Sequence, residues 1–296
     1  ARVGLDYATL SRERPDVIMY STCIRGQVGP ERYFPGTGAQ GAALCGMGAI
    51  TGWPDRPPCN VHGAYTDVIV PRYGVSLIAS ALINRKRTGL GQHIDMAQVE
   101  PGIRFLEPLL LDYTVNGRVA KPMGQASLYS CPRGVYRTQG TERHVAIEVE
   151  TAAQWRALRS VAPLDAFADP SLDALDARMA KRSELDAALT AWCADQVAED
   201  LAARLKTAGV PASVAYFPSE LYTEPNLVQR EFFVPLKHGE MGVIPYDGLP
   251  TRYSATPGKL RKAPPCLGED THRVLRDLLG LSDEEIVAYA AADVLR

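Results

Sequence analysis

The longest apolar stretch of the chain covers residues 68–82, VIVPRYGVSLIASAL, where small and aliphatic residues recur at helical spacing and charge is nearly absent. This spacing predicts a long helix. A strand is predicted over residues 17–20, followed by a glycine-rich loop, and a second helix over residues 98–115. The second helix carries a stripe of large apolar side chains that we expect to face a core, namely Phe105, Leu106, Leu109, Leu110 and Tyr113.

Residues 119–235 alternate between short apolar runs and amphipathic segments. Strands are predicted over 134–137 and 144–149, and helices over 155–161 and 183–205. An extended segment around residues 214–216 and a helix before residue 232 follow. Strands mixed with helices in this order predict a small α+β domain.

The last part of the chain, residues 236–296, passes through a proline-rich stretch and ends in two predicted helices, 269–279 and 282–292. Ser282 and Glu285 have the spacing of a capping box at the start of the final helix. The helix before it has an apolar face that should return to cover the domain formed by residues 1–118 rather than stand free. That face consists of Val274, Leu275, Leu278 and Leu279.

Composition narrows the functional class. The 296 residues are 46% hydrophobic and 22% charged, so the chain can bury a sizeable core. The net charge of −2 argues against a surface that binds nucleic acid. We find no run of about 18 uncharged apolar residues, so no membrane span is expected. The six cysteines are scattered without a C-x-x-C pair. We interpret them as reduced thiols of a cytoplasmic protein with no metal site.

Asp67 is the most informative single residue, because it is a carboxylate at the head of the long apolar helix and should be partly desolvated there. Two interpretations apply. An aspartate at a helix start is commonly a cap that accepts backbone N–H groups. It can also be a nucleophile, whose negative charge the helix N-terminus stabilises.

Four further segments decide between these interpretations. A basic helix end followed by a Thr-Gly-x-Gly-Gln turn and an amphipathic continuation spans residues 84–100, and the others are residues 20–30, 44–55 and 230–245. Together with the segment that leads to Asp67, they occur in the order typical of the class III CoA-transferase family, also called the CaiB/BaiF family, which the chain therefore resembles.

The resemblance implies an α/β fold with a Rossmann-like large domain and a small α+β domain, in an interlocked dimer. Residues 1–118 would be the large domain, 119–235 the small domain and 236–296 the returning segment. Family members carry a long βα region before the first strand, whereas this chain begins with a short helix-like segment at residues 1–7. We therefore expect that the N-terminal part of the large domain, with many of its CoA contacts, is missing from this chain.

The resemblance also implies a mechanism. In this family the aspartate that matches Asp67 attacks the thioester of a donor acyl-CoA to form an anhydride and free CoA thiolate. An aspartyl-CoA thioester follows, and the acceptor carboxylate then receives CoA through a second anhydride. Coenzyme A enters as acyl-CoA substrate, so no permanently bound cofactor and no metal are expected. Backbone N–H groups would stabilise the oxyanions.

Six other residues are candidates for substrate binding, each with a plain structural alternative. Gly26 and Gln27 follow a strand and could line the acyl pocket or form a simple turn. Tyr65 lies just before Asp67, and Arg72 and Arg104 could hold a substrate carboxylate or form surface ion pairs. Gln125 lies where the family often has a mobile glycine-rich loop, although this segment is not glycine-rich.

Segments 63–72 and 110–118 look most similar to the aspartate-bearing subunit of the benzylsuccinate CoA-transferase branch, so succinyl-CoA is the expected donor and an aryl-substituted succinate a possible acceptor. The partner would be an identical or a related chain. Two alternatives stay open. A racemase of the same family would need a histidine where residues 35–40 read PGTGAQ, and a catalytically silent subunit would have no need of Asp67.

Overall fold

The computed structural model describes residues 4–295 and divides into two compact units, Ala1–Val214 and Ala215–Arg296. Residues 1–3 of the predicted N-terminal segment lie outside the described residues. The first unit contains five strands: β1 Ile18–Cys23, β2 Gln92–Ala97, β3 Arg133–Arg137, β4 His144–Glu148 and β5 Ala212–Val214. Its α-helices are α1 Tyr7–Glu13, α2 Gly38–Leu44, α3 Met47–Ile50, α4 Tyr65–Thr88, α5 Val99–Arg104, α6 Glu107–Asn116, α7 Ala152–Val161, α8 Leu175–Ala180, α9 Arg182–Ala194 and α10 Ala198–Ala208.

Strands β1 and β2 pair in parallel, with Ser21 opposite Asp95, and the chain between them includes helix α4. A parallel pair needs such a crossover, because the chain must return to the same end of the sheet. The crossover is tight at its end, where a Cβ on Gly91 would lie 1.9 Å from the carbonyl oxygen of Val17. Only glycine therefore allows β2 to start beside β1.

Helix α4 confirms the helix predicted from the apolar stretch and extends it at both ends. Gly89 ends the helix with a φ of 77° and donates its N–H to the carbonyl oxygen of Arg85, the usual glycine C-cap. The basic residues of the last turn lie at the negative end of the helix dipole. By length and composition alone α4 is apolar enough to cross a membrane. One such helix is weak evidence, since core helices of soluble proteins pass the same test.

Helices α2, α4 and α5 approach one another closely because small residues lie where they meet. A Cβ on Gly41 of α2 would lie 2.2 Å from the Oγ1 of Thr66 in α4. A Cβ on Gly102 of α5 would lie 2.8 Å from the Sγ of Cys45. This close packing fixes the start of α4 against α2, and so fixes the surroundings of Asp67.

The main core of the first unit lies under the antiparallel sheet β3-β4-β5, against which α9 and α10 pack. Its side chains are almost fully buried and include Trp155, Leu185 and Leu201. The fully buried Arg178 organises the polar part of this core, since its guanidinium donates to the backbone carbonyls of four residues. These carbonyls belong to Cys131, Leu172, Asp173 and Glu150.

The second unit contains a hairpin of β6 Phe233–His238 and β7 Gly242–Asp247. Its α-helices are α11 Pro225–Gln229, α12 Thr271–Arg273 and α13 Asp283–Ala291, and a π-helical turn covers Val274–Leu278. The capping box at the last helix is confirmed, since Ser282 Oγ accepts from the Glu285 N–H and Glu285 accepts from the Ser282 N–H.

Several expectations about elements were wrong in detail. The helix predicted over 98–115 is two helices, α5 and α6. Leu106 packs against a small core cluster, but most of the predicted apolar stripe does not face a core, because Phe105, Leu110 and Tyr113 are about half exposed. The helix predicted over 183–205 is likewise divided into α9 and α10. In both cases apolar spacing continues through a break in the backbone. The domain boundaries expected at residues 118 and 235 stay predictions. So does the expected packing of residues 236–296 on the large domain.

Candidate active site

Asp67 is the third residue of α4, and its backbone N–H donates to the carbonyl oxygen of Ala64 at the helix start. Its side-chain Oδ2 lies 3.1 Å from the backbone nitrogen of Gly38, which donates to it. Gly38 is the first residue of α2. The carboxylate therefore lies in the first turn of one helix and against the first peptide N–H of another.

Glycine is required at residue 38 by the closeness of the carboxylate. A Cβ there would lie 2.7 Å from both the Cγ and the Oδ2 of Asp67, and 2.8 Å from the Cβ of Ala64. Real Cβ atoms do not approach other heavy atoms so closely, so any other residue would displace the Asp67 side chain. The absence of a Cβ is what lets the N–H reach the carboxylate.

Thr66 binds the other side of Gly38, at the carbonyl group of the next peptide. Its side chain is fully buried, and its Oγ1 donates to the carbonyl oxygen of Gly38 over 3.2 Å. The same hydroxyl lies 3.4 Å from Oε1 of Gln98. Adjacent residues of α4 thus bind the N–H and the C=O of Gly38, which fixes the donor relative to the carboxylate.

The expected desolvation of Asp67 was wrong, because this side chain is exposed in the described part of the chain. The apolar residues that suggested burial lie further along α4, and many of them are exposed as well, including Val68, Val75 and Ile83. Asp67 has no ion pair within residues 4–295. Its charge is stabilised by the N-terminal ends of two helices instead of by a cationic side chain.

The loop after β1 is fixed by a carboxylate that the sequence analysis did not single out. Gly26 has a φ of 82° and is buried, and the N–H of Gln27 donates to both carboxylate oxygens of Asp95, over 3.0 and 2.9 Å. Asp95 lies in β2. The side chain of Gln27 is exposed, and its Nε2 donates to the Sγ of Cys23 over 3.7 Å.

The two arginines singled out from the sequence have partners on their own helices or near them. Arg72 is exposed and donates to the carbonyl oxygen of Val68, one turn earlier in α4. Arg104 forms an exposed ion pair with Glu107. Tyr65, the first residue of α4, is 38% exposed. Both arginines are exposed, so their positions do not by themselves indicate that they bind a ligand.

Gln125 lies beside the small sheet. Its Oε1 accepts from the backbone N–H of Val135 in β3, and its carbonyl oxygen accepts from Arg133. A cavity of about 570 Å³ lies beside it on the sheet face, with Lys206 and Ser213 on its wall. The side chain of Gln125 is thus held by the strand, which does not fit a freely mobile loop.

Among residues 4–295, no hydrogen bond or ion pair joins Asp67 to any of the six predicted substrate-binding residues. The residues that do surround it, Gly38 and Thr66, were missed, as was Asp95. A signal for Gly38 was present in the Gly-Thr-Gly sequence of residues 36–38. No cluster of three or more His, Cys, Asp or Glu suited to a metal occurs in the described chain, and all six cysteines are free.

An exposed carboxylate between two helix N-termini is the arrangement of a group that can act as a nucleophile. The family model described as CoA-transferase family III matches residues 1–271, and the chain belongs to that family. It is a class III CoA-transferase.

Individual proteins similar to this chain include named CoA-transferases and a solved structure of a CaiB/BaiF family protein. The chain is 28% identical to a succinyl-CoA–D-citramalate CoA-transferase of Chloroflexus aurantiacus, over 99% of this chain and 73% of that protein. It is 31% identical to a succinate–glutarate CoA-transferase of Agrobacterium fabrum, over 94% of this chain and 69% of that protein. A CaiB/BaiF family protein from Brucella suis has a similar structure, with a TM-score of 0.83 and 28% identity, covering 94% of this chain and 72% of that one.

Proposed function

We propose that this chain transfers coenzyme A from an acyl-CoA donor to a carboxylic acid through covalent intermediates on Asp67. The observation that carries the proposal is the hydrogen bond from the Gly38 N–H to Oδ2 of Asp67. It leaves Oδ1 without a hydrogen-bond partner in the described chain, and an oxygen with free lone pairs is the one that can attack an acyl carbon.

The reaction balances as four exchanges. Oδ1 attacks the donor thioester, the C–S bond breaks, and a mixed anhydride and CoA thiolate form. The thiolate then attacks the aspartyl carbonyl and releases the donor as its carboxylate, which leaves an aspartyl-CoA thioester. The acceptor carboxylate displaces the thiolate to form a second anhydride. The thiolate finally attacks the acceptor's carbonyl, which yields the new thioester and returns Asp67 as a carboxylate.

The Gly38 N–H has a specific role in these steps. Whenever the thiolate or the acceptor attacks the aspartyl carbon, negative charge develops on the oxygen that was Oδ2. The Gly38 N–H already points at that oxygen at 3.1 Å, so it can stabilise the tetrahedral oxyanion without reorganisation. The same donor orients the free carboxylate before the first attack. The carboxylate and the thiolate react as anions, so no general base is needed.

Succinyl-CoA is the proposed donor and a dicarboxylate the proposed acceptor. Support comes from the two relatives described above, whose names give succinyl or succinate together with citramalate or glutarate. An aryl-substituted succinate, as expected from segments 63–72 and 110–118, is one member of this acceptor class. Arg72 and Arg104 are the candidates to hold the carboxylate that does not react, because an unpaired buried carboxylate would cost several kcal/mol.

The working enzyme is proposed to contain a second chain, identical or related. Large apolar side chains on α4 and α6 support this, since Val75, Ile83 and Leu111 are each more than 60% exposed and a partner would cover such surface. The interlocked dimer, the missing N-terminal region and the location in the cytoplasm stay predictions.

The substitution Asp67→Asn tests the proposal, with Asp55→Asn as control. Asparagine keeps the size of the side chain and the acceptor for Gly38, but it cannot attack. Transfer from succinyl-CoA should fall by roughly 10³-fold or more. Asp55 precedes α4 and is exposed, so its substitution should leave transfer unchanged. Near-normal transfer by Asp67→Asn would show that another group is the nucleophile.

A further inference from the structure

A second cavity, of about 440 Å³, lies between the segment that precedes α4 and the small sheet with α9. Trp53 and Met123 contribute apolar surface, and Arg182 contributes a cation. The size is within the range of small-molecule sites in proteins. None of its lining residues belongs to α4, and neither Asp67 nor Gly38 is among them.

Two glycines, Gly134 in the wall and Gly124 beside it, pack closely against side chains that line this cavity. A Cβ on Gly124 would lie 2.6 Å from the ring of Trp53, and a Cβ on Gly134 would lie 2.9 Å from Oε1 of Gln125. The backbone of Gly124 also donates its N–H to the carbonyl oxygen of Gly52, next to Trp53. The indole and the amide are therefore held in fixed positions at the edge of the cavity, so the cavity has a defined shape.

The charges that face the cavity come from three side chains. Arg133 is already paired with Glu148 at 3.0 Å. Asp186 accepts from the hydroxyl of Tyr136 at 2.9 Å, and burial raises the pKa of this carboxyl. Arg182 donates to the carbonyl oxygen of Ser127 and attracts the Asp186 carboxylate, which offsets part of the rise in the pKa of that carboxyl. No carboxylate lies within ion-pair distance of Arg182 among residues 4–295. Its guanidinium therefore has N–H groups available for an anion.

We propose that this cavity binds a small organic monocarboxylate, with its carboxylate on Arg182 and its apolar body on Trp53 and Met123. A guanidinium matches a carboxylate with two parallel hydrogen bonds, and the indole offers a large apolar face. The neighbouring carboxyl of Asp186 disfavours a doubly charged ligand such as phosphate more strongly than a singly charged carboxylate, because the repulsion between like charges grows with the charge of the ligand. The proposal goes beyond CoA transfer, since it requires neither Asp67 nor a thioester.

Calorimetric titration with phenylacetate tests the proposal, beside benzyl alcohol as a neutral ligand of similar shape and inorganic phosphate as an anion without an apolar body. Phenylacetate should bind at least about tenfold more tightly than either, the size expected for a charge-assisted hydrogen bond. Arg182→Met should weaken phenylacetate by about the same factor. Arg137→Met, which removes an exposed arginine of the same sheet outside the cavity, should have no effect.

The position of the ligand is tested with tryptophan fluorescence. The chain has three tryptophans, and Trp53→Phe should abolish the fluorescence change on binding while calorimetry still detects phenylacetate. Asp67→Asn should bind phenylacetate as the wild type does. Equal binding of benzyl alcohol, unchanged affinity in Arg182→Met, or loss of binding in Asp67→Asn would each overturn the proposal. The last result would place the ligand at the transfer site, whereas failure of transfer alone would leave this proposal intact.

Discussion

The backbone N–H of Gly38 donates to Oδ2 of Asp67 over 3.1 Å, and this contact joins the first residue of α2 to the third residue of α4. It exists only because residue 38 has no Cβ. The start of α4 carries the carboxylate, while the start of α2 carries the donor that can stabilise charge on it. The chemistry proposed for this chain depends on that pair more than on any single residue.

The first prediction concerns the space that Gly38 leaves open. In Gly38→Ala the new Cβ would lie 2.7 Å from the Asp67 carboxylate, so the carboxylate must move and lose its donor. We expect transfer to fall by about 10² or more, the size seen when one oxyanion donor is removed. Gly48→Ala is the matched control, since a Cβ there meets only ordinary contacts at 3.7 Å. Equal activity of the two variants would refute the role of Gly38.

The second prediction concerns Thr66, whose buried hydroxyl donates to the carbonyl of Gly38. Thr66→Val keeps the shape but removes this hydrogen bond. Its loss should lower the free energy of unfolding by about 0.5–1.5 kcal/mol and lower kcat, because the Gly38 peptide is held less firmly. Thr66→Ser, which keeps the hydroxyl, should recover most of the kcat. If serine and valine gave the same kcat, Thr66 would only fill space.

The third prediction concerns the half-buried carboxyl of Asp186. Burial raises its pKa above the ordinary value of 3.8, so between 3.8 and the higher native pKa the folded state holds more protons than the unfolded state. Stability contributed by this group is therefore present at low pH and is lost as pH rises through that window. Asp186→Asn resembles the protonated form and can still accept from Tyr136.

Thermal unfolding at pH 4 and pH 7 measures this difference. The melting temperature of Asp186→Asn relative to the wild type should be higher at pH 7 than at pH 4. A difference that stays constant, or that falls as pH rises, would mean that burial does not control this carboxyl.

The fourth prediction concerns the arginines proposed to hold the second carboxylate. Arg72→Leu or Arg104→Leu should raise the KM for a dicarboxylate acceptor by roughly tenfold or more, and should change the KM for a monocarboxylate of equal size much less. Steady-state kinetics with glutarate and pentanoate compares the two. If the KM values for both acceptors rose equally, or neither changed, the arginine concerned would not belong to the site. Because Arg104 already pairs with Glu107, Arg72→Leu is expected to have the larger effect.

The sequence predicted those parts of the fold that depend on local patterns. The long helix at Asp67, the strands of the small sheet and the cap at Ser282 are confirmed, because apolar spacing and capping residues act over a few positions. Strand β2 was missed, since it begins at a glycine turn and is largely polar, and it is defined by its pairing with β1. The exposure of Phe105 and Tyr113 could not be predicted. Apolar spacing identifies the apolar face of a helix, but that face is buried only when another part of the protein packs against it.

The candidate site also combines residues that local sequence patterns indicate with residues that they do not. Asp67 was proposed as the nucleophile from its position and from the family pattern of the segments around it, and this role stays a prediction. Gly38, 29 positions earlier, was not, because its role depends on how closely α2 approaches α4 and no local pattern encodes that distance. Asp95 escaped notice for a similar reason, since it fixes Gln27 through parallel strand pairing across many residues.

Mass spectrometry after rapid acid quench shows whether Asp67 forms a covalent bond to the acyl group, as proposed. The wild type is mixed with succinyl-CoA, with and without hydroxylamine, which cleaves the anhydride and the aspartyl thioester and leaves a hydroxamate. We expect a hydroxylamine-sensitive adduct on the peptide containing Asp67, absent in Asp67→Asn. Full transfer without any adduct on that peptide, or an adduct on another residue that persists in Asp67→Asn, would contradict the proposal.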